Sequence, residues 1–312
     1  VIALVFPGQG SQYVGMGKDL YEHFPKVREI FHQAENLTGI PVRRLAFEGP
    51  LEELTRTENL QVVITTFNIA TLEVFKENLR EKFKDLVAFT AGHSLGEFSA
   101  LYASSVLSFE DTLRVVKRRG ELMGMAAPEK PSGMYAIINL ERAKLESLIE
   151  RIEGLVIISN FNSPKQLVIS GEEPALSQVV EEAKACGAKV VRLKVSAGFH
   201  SPLMSQAEKE LAETLEKIPF RDPLIPIVCA VSAKVETSGE NLKKLMKVQI
   251  TSPVRWIEVV EYIYAQGVST FVEIGPKQVL KGLISQILQE RPFKVYNVEN
   301  IATLQETIKA LS

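Results

Sequence analysis

Leu86-Val87-Ala88-Phe89-Thr90-Ala91-Gly92-His93-Ser94-Leu95-Gly96-Glu97 carries the chain from an apolar stretch into two glycines that flank a serine. Leu86 to Thr90 reads as a strand, and the small residues of Glu97 to Ala103 read as a helix. A strand, a sharp turn and a helix with Gly92-x-Ser94-x-Gly96 at the turn form a nucleophile elbow, which projects the serine hydroxyl from the edge of a sheet. Backbone N–H groups at the following helix N-terminus then face any oxyanion that forms beside Ser94. A glycine-rich turn with a capping serine is the plainer alternative.

Outward from the elbow the pattern is α/β. Val1 to Phe6 is a buried strand running into the Pro7-Gly8-Gln9-Gly10 loop, and helical patterns fill most of Tyr13 to Lys84. Ser108 caps a long helix expected to reach about Ala127, with Asp111 at capping-box spacing. From Pro131 to Val195 the order is Met134–Asn139 strand, Glu141–Ile152 helix, Val156–Phe161 strand, Gln166–Ser170 strand, Pro174–Cys186 helix and Lys189–Val195 strand. That β-α-β-β-α-β order is the ferredoxin-like split unit. It predicts a small subdomain over 130–196 inserted into a larger catalytic domain made of 1–129 and 197–312. Beyond it, helices near Leu203–Lys217, Asn241–Val248, Pro253–Gln266 and Pro276–Gln289 alternate with strands near Pro226–Val231, Thr270–Ile274 and Lys294–Val298. The alternation predicts a mainly parallel sheet with helices on both faces.

Composition sets the bounds. With 312 residues, 46% hydrophobic and 24% charged, the chain can bury a sizeable core. A net charge of −2 gives no global attraction for nucleic acid or an acidic membrane, so neither partner is expected. No apolar run approaches the ~20 residues of a membrane span, and the opening strand is too short for the apolar region of a signal peptide. The two cysteines, Cys186 and Cys229, fit neither a disulfide framework nor a zinc ribbon, so a cytoplasmic protein without metal is expected.

A serine nucleophile needs a base, and four histidines compete. His23 and His32 lie in polar helical segments, and the His93 side chain should diverge from its neighbour Ser94. His200 remains, in the Gly198-Phe199-His200-Ser201-Pro202 loop. A hydrolase triad would add an acid between serine and histidine in chain order, yet the intervening acids fall mainly on subdomain helices. A dyad with the histidine oriented by a neutral group, such as a backbone carbonyl, is therefore expected. In the long helix, Val115, Arg119, Leu122 and Ala126 share one stripe, which places a guanidinium on an apolar face. It needs an anion there, either an internal carboxylate or a substrate carboxylate beside the serine.

Phe6-Pro7-Gly8-Gln9-Gly10-Ser11-Gln12, Gly92-His93-Ser94-Leu95-Gly96-Glu97, Arg119-Gly120, Asn160-Phe161-Asn162-Ser163-Pro164 and Phe199-His200 together resemble the malonyl-CoA:acyl carrier protein transacylase family. Gln249 to Trp256 and Glu273-Ile274-Gly275-Pro276 extend the likeness almost to the C-terminus. The resemblance implies a hydrolase-like core with a ferredoxin-like insertion and the acyl site in the cleft between them. Ser94 would take malonyl from coenzyme A and His200 would be its base. Leu95 and Gln9 would supply the oxyanion N–H groups, Arg119 would hold the malonyl carboxylate, and the Gln249 carbonyl would orient His200. Phe199 would restrict room for an α-methyl group, and Asn160 would line the pocket. Glu97, in a helix first turn, is accounted for by the macrodipole and receives no chemistry.

The resemblance also implies transfer in fatty acid synthesis to an acidic, phosphopantetheinylated acyl carrier protein, with coenzyme A thioester as substrate and no resident cofactor. Lys189, Arg192 and Lys194 on one strand, with Lys277 and Lys281, are candidates for meeting that carrier. A serine esterase, a non-catalytic docking module, and a transferase of other acyl specificity or of a polyketide synthase are the alternatives.

Overall fold

The structure is a computed structural model that describes residues 1–126 and 130–312. Among those residues ten strands form two sheets: β1 (Ile2–Phe6), β2 (Val87–Gly92), β7 (Ile227–Cys229), β8 (Lys234–Glu236), β9 (Thr270–Ile274) and β10 (Lys294–Val298) in one, and β3 (Ser132–Ile138), β4 (Val156–Ser163), β5 (Gln166–Glu172) and β6 (Lys189–Arg192) in the other. The larger sheet has the order β10-β9-β1-β2-β7-β8 and is parallel except for the β7–β8 pair. The smaller has the order β4-β5-β3-β6 and is antiparallel throughout.

β1 lies at the middle of its sheet because every one of its residues is apolar and buried, as a strand covered on both faces requires. Its side chains alternate between two cores. Ile2, Leu4 and Phe6 enter a core with the Thr57–Leu79 and Phe109–Met125 helices. Ala3 and Val5 join one built by the Trp256–Ala265 and Val279–Ile287 helices. The small sheet is also covered twice. Ile137, Leu167 and Ile169 pack on the Arg142–Glu150 and Glu173–Ala185 helices, while Met134, Ala136 and Val168 belong to the same core as Phe199 and Met204. Main-chain bonds from Phe161 N–H to Val254 O (2.9 Å) and from Val254 N–H to Ser159 O (2.8 Å) clip β4 to the rest of the molecule.

Several boundaries differ from the sequence reading for local reasons. Leu86 ends a short helix instead of opening β2. The helix expected from Pro253 begins at Trp256, since Val254 pairs with β4. β6 stops at Arg192, which leaves Lys194 beyond the strand. β8 and a C-terminal helix at Ile301–Leu311, capped by Asn300, were not expected. The long helix is observed over Phe109–Met125, with Ser108 Oγ accepting from Asp111 N–H at 3.1 Å. Its expected end at Ala127, and the expected domain boundary at 129, lie outside the described residues.

Candidate active site

The elbow is built by close backbone approach. A Cβ on Gly92 would stand 2.1 Å from Glu97 N, and one on Gly96 would stand 2.0 Å from Phe6 O, so only glycine lets the turn close onto β1. Between them Ser94 is forced to φ 52°, in the left-handed region that a serine adopts only when its surroundings impose it. His200 is held in the same region, at φ 56°.

Those two backbones bring Ser94 Oγ and His200 Nε2 to 2.7 Å. His200 Nδ1 lies 3.0 Å from Gln249 O and 3.1 Å from Ser252 O. Carbonyl oxygens only accept, so Nδ1 carries the proton and Nε2 presents its lone pair to the serine hydroxyl. Burial, and secondarily the Arg119 cation, push the His200 pKa down to about 3 against the pull of the Gln249 carbonyl. The imidazole is therefore neutral at pH 7 and able to take a proton. No carboxylate contacts it among the described residues.

Arg119 is 1% exposed. Its terminal nitrogens donate to Gln61 Oε1 (2.8 Å), Gln249 Oε1 (3.1 Å) and Ser94 Oγ (3.3 Å), while its Nε has no partner among the described residues. Its guanidinium also lies over the Phe98 ring, 5.5 Å from the centroid. Burial lowers its pKa to about 10 and Glu97 opposes the shift, so it remains a cation at pH 7. Among the described residues no acid forms an ion pair with it, although 17 ion pairs occur elsewhere. The internal-carboxylate alternative thus has no direct partner.

The N–H groups of Leu95 and Gln9 have no acceptor among the described residues. Gly8 sets the Pro7–Gly10 loop against the elbow, since a Cβ there would lie 3.4 Å from Leu95 N and 2.8 Å from His93 O. Phe199 is buried beside His200 in the main core. Asn160 is buried too, but its Oδ1 accepts from Ser159 Oγ (2.7 Å) and it makes no hydrogen bond to the dyad. Asn162 instead meets the elbow, 2.6 Å from His93 Nε2. His93 also packs edge-on against Trp256, while His23 and His32 are exposed.

Glu97, for which the helix macrodipole alone was the expected account, is 2% exposed and accepts from Ala230 N–H and from Gln249 Nε2. The candidate carrier-facing residues stand on two elements. Lys189 and Arg192 lie on β6, at one edge of the small sheet, whereas the helix carrying Lys281 packs beside β4 at the other edge, about 14 Å away at ~4.8 Å per strand. Arg192 is also ion-paired with Glu173. Gln61 and the side chain of Gln249, which complete the Arg119 site, were missed. Both stand on helical segments with nothing in their local pattern to separate them from ordinary polar positions.

This serine–histidine site on an α/β elbow belongs to the acyltransferases: the acyl transferase domain family matches residues 3–309, and the chain is a member of that family. Within it the chain is 41% identical over 314 residues to the Malonyl CoA-acyl carrier protein transacylase of Bacillus subtilis (strain 168), covering 99% of this chain and 97% of the relative. Among solved structures, an acyl-carrier-protein-S-malonyltransferase from Bartonella henselae superposes with a TM-score of 0.94 at 36% identity, covering 100% and 99% of the two chains. A malonyl-transacylase solved in complex with its type II PKS acyl-carrier protein superposes with a TM-score of 0.93 at 38% identity, covering 99% of each.

Proposed function

We propose that this enzyme moves a malonyl group from malonyl-CoA to the phosphopantetheine thiol of an acyl carrier protein in fatty acid biosynthesis, through a malonyl ester on Ser94. The observation that carries this reading is the buried Arg119 cation, 3.3 Å from the serine hydroxyl and without a carboxylate of its own. A substrate carboxylate one short acyl chain from the reacting carbonyl supplies the missing anion.

Ser94 Oγ attacks the thioester carbon as its proton passes to His200 Nε2. The oxyanion is met by the N–H groups of Leu95 and Gln9, and collapse expels the coenzyme A thiolate, which takes the proton from His200. The carrier thiol then gives its proton to His200 and attacks the ester carbonyl, and collapse breaks the ester bond to Ser94 Oγ, which takes that proton back from His200. The reaction calls on no resident cofactor. Arg119 holds the ester where a thiol can approach and water is poorly placed. Phe199 limits room at the α-carbon, and Asn160 lines the cleft through its neighbours. We place this chemistry between a catalytic domain of 1–129 and 197–312 and an inserted subdomain of 130–196. No helix of the described residues is long and apolar enough to cross a membrane, which is compatible with a cytoplasmic enzyme.

The test is intact-protein mass spectrometry after brief exposure to malonyl-CoA, with peptide mapping and a Ser94→Ala control. One malonyl adduct on Ser94, discharged by holo carrier protein, is the expected result. A folded protein that takes no adduct refutes the reading.

A further inference from the structure

Glu97 is a buried acid at the site, and among the described residues the groups that hydrogen-bond its carboxylate are donors. Its Oε1 accepts from Ala230 N–H at 2.7 Å and its Oε2 from Gln249 Nε2 at 2.5 Å. Burial raises its pKa and the Gln249 and Ala230 donors oppose that shift, each giving its hydrogen to a different carboxylate oxygen. The Gln249 amide then has only one direction open to it. Its Nε2 faces Glu97 and Ser94 O (2.9 Å), and its Oε1 faces the Arg119 guanidinium (3.1 Å).

We infer that Glu97 is a positioning residue for acyl selection: its carboxylate fixes the direction of the Gln249 side-chain amide, which aims Oε1 at Arg119 and holds the guanidinium beside Ser94. The inference rests on the malonyl-transfer reading, because only an acyl group with a carboxylate uses Arg119. A Glu97→Gln replacement has the same shape and one acceptor fewer. The Ala230 N–H cannot turn, so the side-chain amide introduced by E97Q must give its oxygen to it and its NH2 to Gln249. The Gln249 amide then flips and points a donor at Arg119 and an oxygen at Ser94 O.

The experiment measures acylation by malonyl-CoA and by acetyl-CoA in the parent, in E97Q, in Gln249→Met and in the double variant, with fluorophosphonate labelling of Ser94 to report an assembled elbow. Loss of one hydrogen bond to a charged group predicts a fall of about ten-fold in the malonyl-to-acetyl ratio of kcat/KM, read mainly in the malonyl KM. The double variant should be no worse than Gln249→Met, since Glu97 acts through that side chain. Equal losses for both acyl groups, a parent-like ratio, or additive effects overturn the inference. If E97Q does not fold, Gln249→Met, which keeps the main-chain carbonyl under His200, must show the selective loss itself, and a parent-like ratio there is equally fatal. A parent that takes no malonyl sinks the functional reading and this inference with it. A parent that takes it while E97Q keeps the ratio sinks the inference alone.

Discussion

Replacing Gly96 by Ala probes the elbow without touching any group that performs chemistry. The new methyl would sit 2.0 Å from Phe6 O and 2.7 Å from Phe6 C, whereas real Cβ contacts essentially never fall below 3.0 Å. Either β1 or the elbow must therefore yield by about 1 Å, and β1 is locked between β2 and β9. The elbow moves, and with it Ser94, now 2.7 Å from His200 Nε2. A displacement of about 1 Å at a reacting group costs on the order of 100-fold in rate, and overpacking of this kind costs about 1–3 kcal/mol of stability. The assay is stopped-flow acylation by malonyl-CoA alongside thermal unfolding. Gly282→Ala is the control: nothing lies within 4 Å of its Cβ, it stands in a helix, and it should retain activity and gain up to about 1 kcal/mol. A Gly96→Ala enzyme that acylates within a few-fold of the parent would show that the elbow is not fixed by this contact.

Arg119→Ala should raise the malonyl KM by about 100-fold, the worth of a two-pronged charged contact, and should move the acid limb of Ser94 labelling upward, because the Arg119 cation helps hold His200 neutral; an unmoved limb contradicts that coupling. In the parent, labelling should stay nearly flat from about pH 8 down to pH 5, since His200 loses its base function only as pH falls towards its pKa of about 3; a half-loss near 6.5 would refute the depressed value. Glu273, buried at the end of β9 and accepting from Leu280 and Lys281 N–H, has its pKa raised by burial to about 8. A raised carboxyl stabilises the fold below its ordinary range and loses that contribution as pH rises through 8. Glu273→Gln should therefore show an alkaline fall in Tm between pH 6 and 9 that is smaller by about 2–4 °C, and an identical fall would reject the assignment. Charge reversal at Lys189 and at Lys281, candidates for meeting the acidic carrier, should each raise the carrier-protein KM a few-fold while acylation by malonyl-CoA is unchanged; an unchanged carrier KM at either position removes that residue from the docking face.

The elbow and the β-α-β-β-α-β order were legible because each rests on local signals: glycine spacing at a turn, period-two strands, and helix ends marked by Ser108 and Gly187. Arg119 was legible as a charge on an apolar stripe. Glu97 was not, because its partners Ala230 and Gln249 stand more than 130 residues away and its place in a helix first turn already had a sufficient local explanation. The C-terminal helix was a different failure, since Ile301, Leu304, Ile308 and Leu311 carry the helical period and Asn300 is an ordinary cap.

The acceptors for His200 Nδ1 are main-chain carbonyls, and such a partner belongs to no side chain. Substitution at Gln249 or Ser252 alters what hangs from the backbone and leaves the oxygen in place, so alanine scanning reports two members of a three-part device. The third member is inherited as the path of the chain from 249 to 252, and it can drift in residue identity without penalty while that path persists. Only an edit to the backbone itself, by insertion, deletion or an ester in place of an amide, would expose its contribution.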